Sequence, residues 1–185
     1  VTLIDTHCHL DAAEFDPDRE AVLHAARAAG VGLQVIPAVT EATWQPIRDL
    51  CAANPDLKPA YGLHPLYLDE HWQEHIQALE GWLQQEPAVA IGEIGLDFLT
   101  TNHDFARQLN AFIAQLDLAR RFDLPVLIHA RKAHDRVLWA LRRHPVPRGG
   151  IVHAFNGSEQ QAQHYQDLGF CFGVGGQLPS TGPGI

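Results

Sequence analysis

The sequence predicts a parallel α/β barrel, and three observations support that class. Apolar, strand-like runs alternate with amphipathic helical stripes, the connections between them are short, and a His or Glu stands at the carboxyl end of run after run. Alternation of this kind implies a parallel sheet with right-handed crossovers, either closed or open. The third observation chooses between the two. A barrel gathers its strand ends at one mouth, where barrel enzymes keep their chemistry, whereas an open doubly wound sheet spreads them along an edge.

Strands are expected at residues 2–6, 33–38, 60–63, 88–92, 126–128, 151–152 and 170–172. Between them, helical spacing recurs. Val22, Ala25, Ala26 and Ala29 form one stripe, closed by Gly30 as a C-cap. Ile47, Leu50 and Cys51 mark the second helix, and Ile76, Leu79 and Leu83 the third. Leu109, Phe112, Ile113, Leu116 and Ala119 make the fourth and longest stripe. Val137, Leu138 and Leu141 follow, then Ala162, Tyr165 and Leu168.

Composition excludes several classes. A chain of 185 residues with 46% hydrophobic content reads as one globular domain with a substantial core. No apolar stretch is long enough to span a bilayer and the N-terminus lacks a basic-then-apolar leader, so the expected compartment is cytoplasmic, with no membrane contact. Cys8, Cys51 and Cys171 are odd in number and far apart, which argues against a disulfide framework. A net charge of -9 argues against general adhesion to nucleic acid, so action on a polyanion requires local cations or bound metal. No obligate protein partner is evident.

The 12 histidines point to metal. His7 and His9 are two apart after the first run, so an extended backbone turns them to one face and Cys8 to the other, toward the core. Glu93 follows the fourth run, His129 the fifth and His153 the sixth. Any one of them reads as a hydrogen-bonded structural residue. Five together at the same end of successive strands read as a metal centre. His24, His71, His75, His103, His134, His144 and His164 fall on helices or in polar stretches and are expected to be solvated.

With those residues in place, the chain resembles the TatD family of metal-dependent deoxyribonucleases, in its YjjV-like branch. The resemblance rests on Asp5-Thr6-His7-Cys8-His9, Gly62-Leu63-His64-Pro65, Ile91-Gly92-Glu93-Ile94-Gly95-Leu96-Asp97, Leu124-Pro125-Val126-Leu127-Ile128-His129 and Val152-His153-Ala154-Phe155-Asn156-Gly157-Ser158. It implies a TIM-like (β/α) barrel of the metal-dependent hydrolase type over residues 1–176. It also implies two divalent metal ions (zinc, manganese or magnesium) and phosphodiester hydrolysis, with DNA as substrate. His7, His9, Glu93, His129 and His153 are then the metal ligands, with Glu93 as a bridge and catalytic group. The chemistry is coherent: a cation lowers the pKa of a coordinated water toward ~7, and two cations about 3.5–4 Å apart hold the attacking and leaving oxygens. A carboxylate can bridge two ions where an imidazole cannot.

His64 stands in the same mouth outside the ligand pattern. As a catalytic and substrate-binding residue it would donate to a phosphate oxygen; alternatively its hydrogen bond fixes the turn at Pro65. Arg131 and Lys132, beside His129, are substrate-binding candidates within a basic zone that includes Arg136, Arg142, Arg143 and Arg148. Phe98 and Phe155 follow two ligand strands and could stack on a base, but aromatic loop residues more often pack on neighbours, which is the expectation here. The family pattern continues into an eighth strand with an aspartate that no residue here matches. The expected barrel is therefore incomplete at the C-terminus, with about seven strands and an irregular divergent tail at residues 177–185. Loss of a placed base costs roughly 10²–10⁴-fold in rate, so impaired activity is one implication. Two other readings stand beside the nuclease: a non-catalytic metal- or nucleic-acid-binding remnant, and an amidohydrolase-type barrel on a non-nucleic-acid substrate. Glu93 speaks against the latter, which often uses a carboxylated lysine as its bridge.

Overall fold

A computed structural model describes residues 2–99 and 104–174. Seven strands form one parallel sheet in chain order: β1 (Leu3–Asp5), β2 (Val31–Pro37), β3 (Leu57–Tyr61), β4 (Ala90–Asp97), β5 (Val126–Arg131), β6 (Gly150–Val152) and β7 (Phe170–Phe172). The crossovers contain α1 (Arg19–Ala28), α2 (Trp44–Ala53), α3 (Trp72–Leu83), α4 (Phe105–Arg121), α5 (His134–Arg143) and α6 (Glu159–Asp167). Each expected strand and helix is present. Among the described residues β1 pairs only with β2 and β7 only with β6. The expected tail, residues 177–185, lies outside the described residues. No helix of the described chain is long and apolar enough to cross a membrane.

The sheet curls strongly. In a flat sheet, strands at positions one and six would stand about 24 Å apart, five spacings of ~4.8 Å. Yet the ring of His7, just past β1, stacks on that of His153, just past β6, at 3.6 Å between centroids. Barrel-like curvature brings them together.

Strand periodicity divides the apolar residues into two layers. Ile36, Tyr61, Ile91, Ile128 and Val152 face outward into the large core shared with the helices. Val35, Ala60, Ala90 and Leu127, with Leu33 and Ile151 against them, form a separate small cluster on the concave face. That inner column decides what reaches the mouth. His129 lies two residues beyond Leu127 within β5, so alternation turns it inward, and His153, one residue past β6, extends the ladder by donating its N–H to Ile128 C=O at 2.9 Å; His64 lies beyond the end of β3.

Helix ends are defined by sequence-local caps. Asp104 accepts from Arg107 N–H at 2.9 Å to start α4, and Ser158 with Gln161 closes a reciprocal capping box on α6.

Candidate metal centre

Strand alternation alone would place Glu93 outside. Ile91 belongs to the outer core and so do Ile94 and Leu96, three and five residues on. The pairing of β4 with β5 shifts register between Ile91 and Ile94, so Gly92 and Glu93 together occupy the inner side. The bulge also keeps Asp97 inward, at an even separation from Glu93. β4 extends five residues beyond its expected end, so Glu93 sits within the strand and not after it. β5 likewise extends through His129 to Arg131. His7 and His9 lie past the end of β1, so strand alternation is not what aligns them; an Asx turn, with His7 N–H donating to Asp5 Oδ1 at 3.1 Å, starts their segment.

Glu93 is the hub, buried to 3% exposure. Its Oε2 stands 3.2 Å from His7 Nε2 and 3.3 Å from His9 Nε2, while Oε1 stands 3.1 Å from His129 Nδ1 and 3.8 Å from His64 Nε2. Burial alone would raise the Glu93 pKa, but hydrogen bonds from His129, His7 and His9 overcome it and hold the carboxyl well below its ordinary range. The same competition, burial lowering and Glu93 raising, leaves His9 and His129 above the usual imidazole value.

The donor set fits a cation. His7 Nε2 and His9 Nε2 approach to 3.1 Å, and with Glu93 Oε2 they form a triangle of 3.1–3.3 Å sides. Ligand atoms about 2.0–2.1 Å from a tetrahedral zinc stand roughly 3.3–3.4 Å apart. Two imidazole N–H groups cannot both point into so small a triangle without opposing one another, whereas two lone pairs converging on a cation remove the conflict. His129 has the same logic on the other side. Its Nε2 meets Asp97 Oδ2 at 2.9 Å; with a cation bound in place of the Nδ1 proton, the proton on Nε2 would stay directed at Asp97 and the Nδ1 lone pair would turn to the ion, the usual carboxylate support of a ligating histidine. The groups His7–His9–Glu93 and His64–Glu93–His129 each gather ligand atoms closely enough to hold an ion.

His153 enters differently. It joins the cluster through its stack on His7 and shares a cavity of about 170 Å³ with His129 and Arg131, and its pKa falls to about 4, mainly through burial. His64 fixes its own turn, since its Nδ1 accepts from Leu66 N–H at 3.2 Å. That bond commits the ring proton to Nε2, and a pKa pushed down to about 4 by burial keeps the ring neutral. His64 is therefore a neutral donor aimed at the cluster and, in this tautomer, no ligand.

Arg131 and Lys132 are exposed and line a cavity of about 830 Å³ next to the cluster. Phe98 and Phe155 pack on Phe105 and Phe172 respectively, at 4.5 Å between centroids in both cases. Cys8 packs against the core, and burial raises its thiol to about 11. His134 corrects an expectation. It is buried, not solvated, because Tyr165 of α6 covers it and hydrogen-bonds its Nδ1 at 3.2 Å.

Three residues escape a reading of the sequence. Asp97 is visible there only as part of a motif, although its even spacing from Glu93 is a signal. Gln108 and Gln115 adjoin the apolar stripe of α4 and are buried. Gln108 Oε1 accepts from Asp97 N–H at 2.9 Å. Gln115 pairs with Leu63 as another strand would, accepting its N–H at 2.7 Å and donating to its C=O at 3.1 Å. It thereby fixes the segment that presents His64. Gln115→Leu strands both backbone groups, each worth about 1–3 kcal/mol when buried and unpaired, so a loss of about 2–6 kcal/mol is expected. A urea midpoint unchanged from the parent protein rejects that account.

Comparison with known proteins agrees with this geometry. The TatD related DNase family matches residues 4–181. An uncharacterized metal-dependent hydrolase, YjjV of Escherichia coli (strain K12), is 43% identical over 177 residues, covering 95% of this chain and 68% of the relative. The crystal structure of that TatD homologue superposes with a TM-score of 0.90 over 94% of this chain and 68% of its own. A 3'-5' ssDNA/RNA exonuclease, TatD of Rahnella sp. (strain Y9602), is 35% identical over 172 residues, covering 91% of this chain and 65% of the relative. The chain is a metal-dependent hydrolase of the TatD family.

Proposed function

We propose that the chain hydrolyses phosphodiester bonds of DNA with two divalent cations held by His7, His9, Glu93, His129 and His153. The observation behind this reading is the two-sided Glu93 carboxylate, one oxygen toward His7 and His9 and the other toward His129. A carboxylate placed in that way suits a bridge between two ions, with His7 and His9 on one and His129 and His153 on the other. The Rahnella relative, named as an exonuclease on single-stranded DNA and RNA, supports nucleic acid as the substrate class. When bound, the cations supply Lewis acidity toward a phosphate oxygen and a nucleophile at neutral pH. Zinc, manganese and magnesium all suit imidazole and carboxylate donors to some degree.

The protein's own groups do the remaining work. Neutral His64 offers its Nε2 proton to a phosphate oxygen without adding charge to the crowded cluster. Arg131 and Lys132, at the rim, neutralise the phosphates and orient the strand, which answers the unfavourable net charge locally. Gln108 and Gln115 hold Asp97 and the His64 segment in place by backbone hydrogen bonds.

Hydrolysis of bis(p-nitrophenyl) phosphate and of a labelled single-stranded oligodeoxynucleotide tests the reading. Activity is expected in the presence of divalent metal, to fall to background with EDTA, and to return when zinc, manganese or magnesium is added back. Metal binding with no diester cleavage under any of the three ions, or cleavage of a cyclic amide in its place, overturns it.

A further inference from the structure

Beside the Glu93 cluster lies the larger cavity of about 830 Å³, and its chemistry is that of an anion site. Arg131, Lys132 and Arg136 line it. Asp135, also in the lining, accepts from Gln161 Nε2 at 2.8 Å, and among the described residues none of the three cations is paired with a carboxylate. Arg136 is held by stacking, its guanidinium 4.5 Å from the Trp139 ring centroid, which leaves the guanidinium edge free to donate.

The wall of this cavity is built from the interior. Buried His134 links Tyr165 and Asn156: Tyr165 O–H meets its Nδ1 at 3.2 Å, and its Nε2 meets Asn156 Oδ1 at 2.9 Å. Only one proton arrangement satisfies all three groups with a neutral ring. Tyr165 donates to Nδ1, Nε2–H donates to Asn156 Oδ1, and the Asn156 amide N–H₂ stays available as a donor. Asn156 and Arg131 are common to this cavity and to the small one shared by His129 and His153. They stand at the passage between the two.

We propose that the larger cavity is a second phosphate subsite, which takes the phosphodiester next to the one at the metal centre, through Arg131, Lys132, Arg136 and the Asn156 amide. This rests on the phosphodiester reading above and extends it: the substrate is a strand with at least two phosphates, not an isolated diester. His134 is a positioning residue that fixes which face of the Asn156 amide the substrate meets.

The test uses the metal-loaded protein and a fluorescent phosphorothioate oligodeoxythymidine, which resists cleavage, with binding followed by anisotropy across a salt series. For a single strand, each phosphate that a variant no longer neutralises lowers the magnitude of the slope of log K against log salt by about 0.7. Arg136→Gln and Lys132→Gln are each expected to lower it by about that much, and Arg136→Lys to retain it. Asn156→Asp, nearly isosteric, is expected to weaken binding by replacing a donor with a charge. Unchanged slopes in both glutamine variants overturn the subsite, even if wild-type protein hydrolyses bis(p-nitrophenyl) phosphate. Reduced slopes with no hydrolysis of any diester uphold the subsite and refute the reaction instead.

Discussion

Glu93→Gln is expected to abolish both metal retention and hydrolysis. The substitution keeps the volume of a side chain that is 3% exposed and removes the charge that two sides of the site depend on. His7 and His9 face one of its oxygens and His129 the other, so no single histidine replacement disturbs as many partners. Electrostatic support by bound metal is worth several kcal/mol in such reactions, which corresponds to a rate loss on the order of 10³-fold. Stability gives an independent readout. A ligand that binds only the folded state stabilises by about 2.7 kcal/mol at one hundred times its Kd. Added metal should therefore raise the melting temperature of the parent protein and leave Glu93→Gln unmoved. A variant that keeps its metal content, its metal-induced shift and its activity refutes the bridging role.

How far the site is legible in the sequence follows from which contacts are local. His129 and His153 are readable because regular alternation turns them inward with Leu127 and Ile151. Glu93 stands among them although alternation from Ile91 would turn it outward; the register shift that brings it in has no simple hydropathy signature. His7 and His9 meet Glu93, but an argument from strand faces does not explain it, because β1 ends before either of them. His134 misleads because its polar neighbours, Asp135 and Arg136, suggest a wet helix start, while the ring that buries it comes from Tyr165, 31 residues later. Gln108 and Gln115 interrupt an otherwise apolar face with amides. Their purpose becomes visible only when the backbone groups of Asp97 and Leu63, 11 and 52 residues away in sequence, are found to need partners.

The same distinction between local conformation and non-local packing predicts the second large effect. Gly95→Ala is expected to destabilise the protein by about 2–6 kcal/mol, combining backbone strain of about 1–3 with overpacking of about 1–3. Gly95 lies between Glu93 and Asp97, opposite His129 in the β4–β5 register, with φ of 144°. A Cβ there would stand 2.0 Å from the His129 carbonyl oxygen, a backbone atom that cannot rotate away. For a chain of this size each kcal/mol moves the melting temperature by about 2–4 °C, so a drop of about 5–20 °C is expected. Gly30→Ala separates the two causes. Gly30 also has positive φ, 90°, but a Cβ there meets nothing within 4 Å, so only torsional strain remains. That control should lose roughly 1 kcal/mol and keep its metal, since it lies at the end of α1 away from the cluster. If the two variants lose equal stability, the close approach of β4 to His129 is not what demands glycine. If Gly95→Ala loses far more and binds metal less well, the strand pairing that seats His129 against Glu93 is the reason the position excludes a side chain.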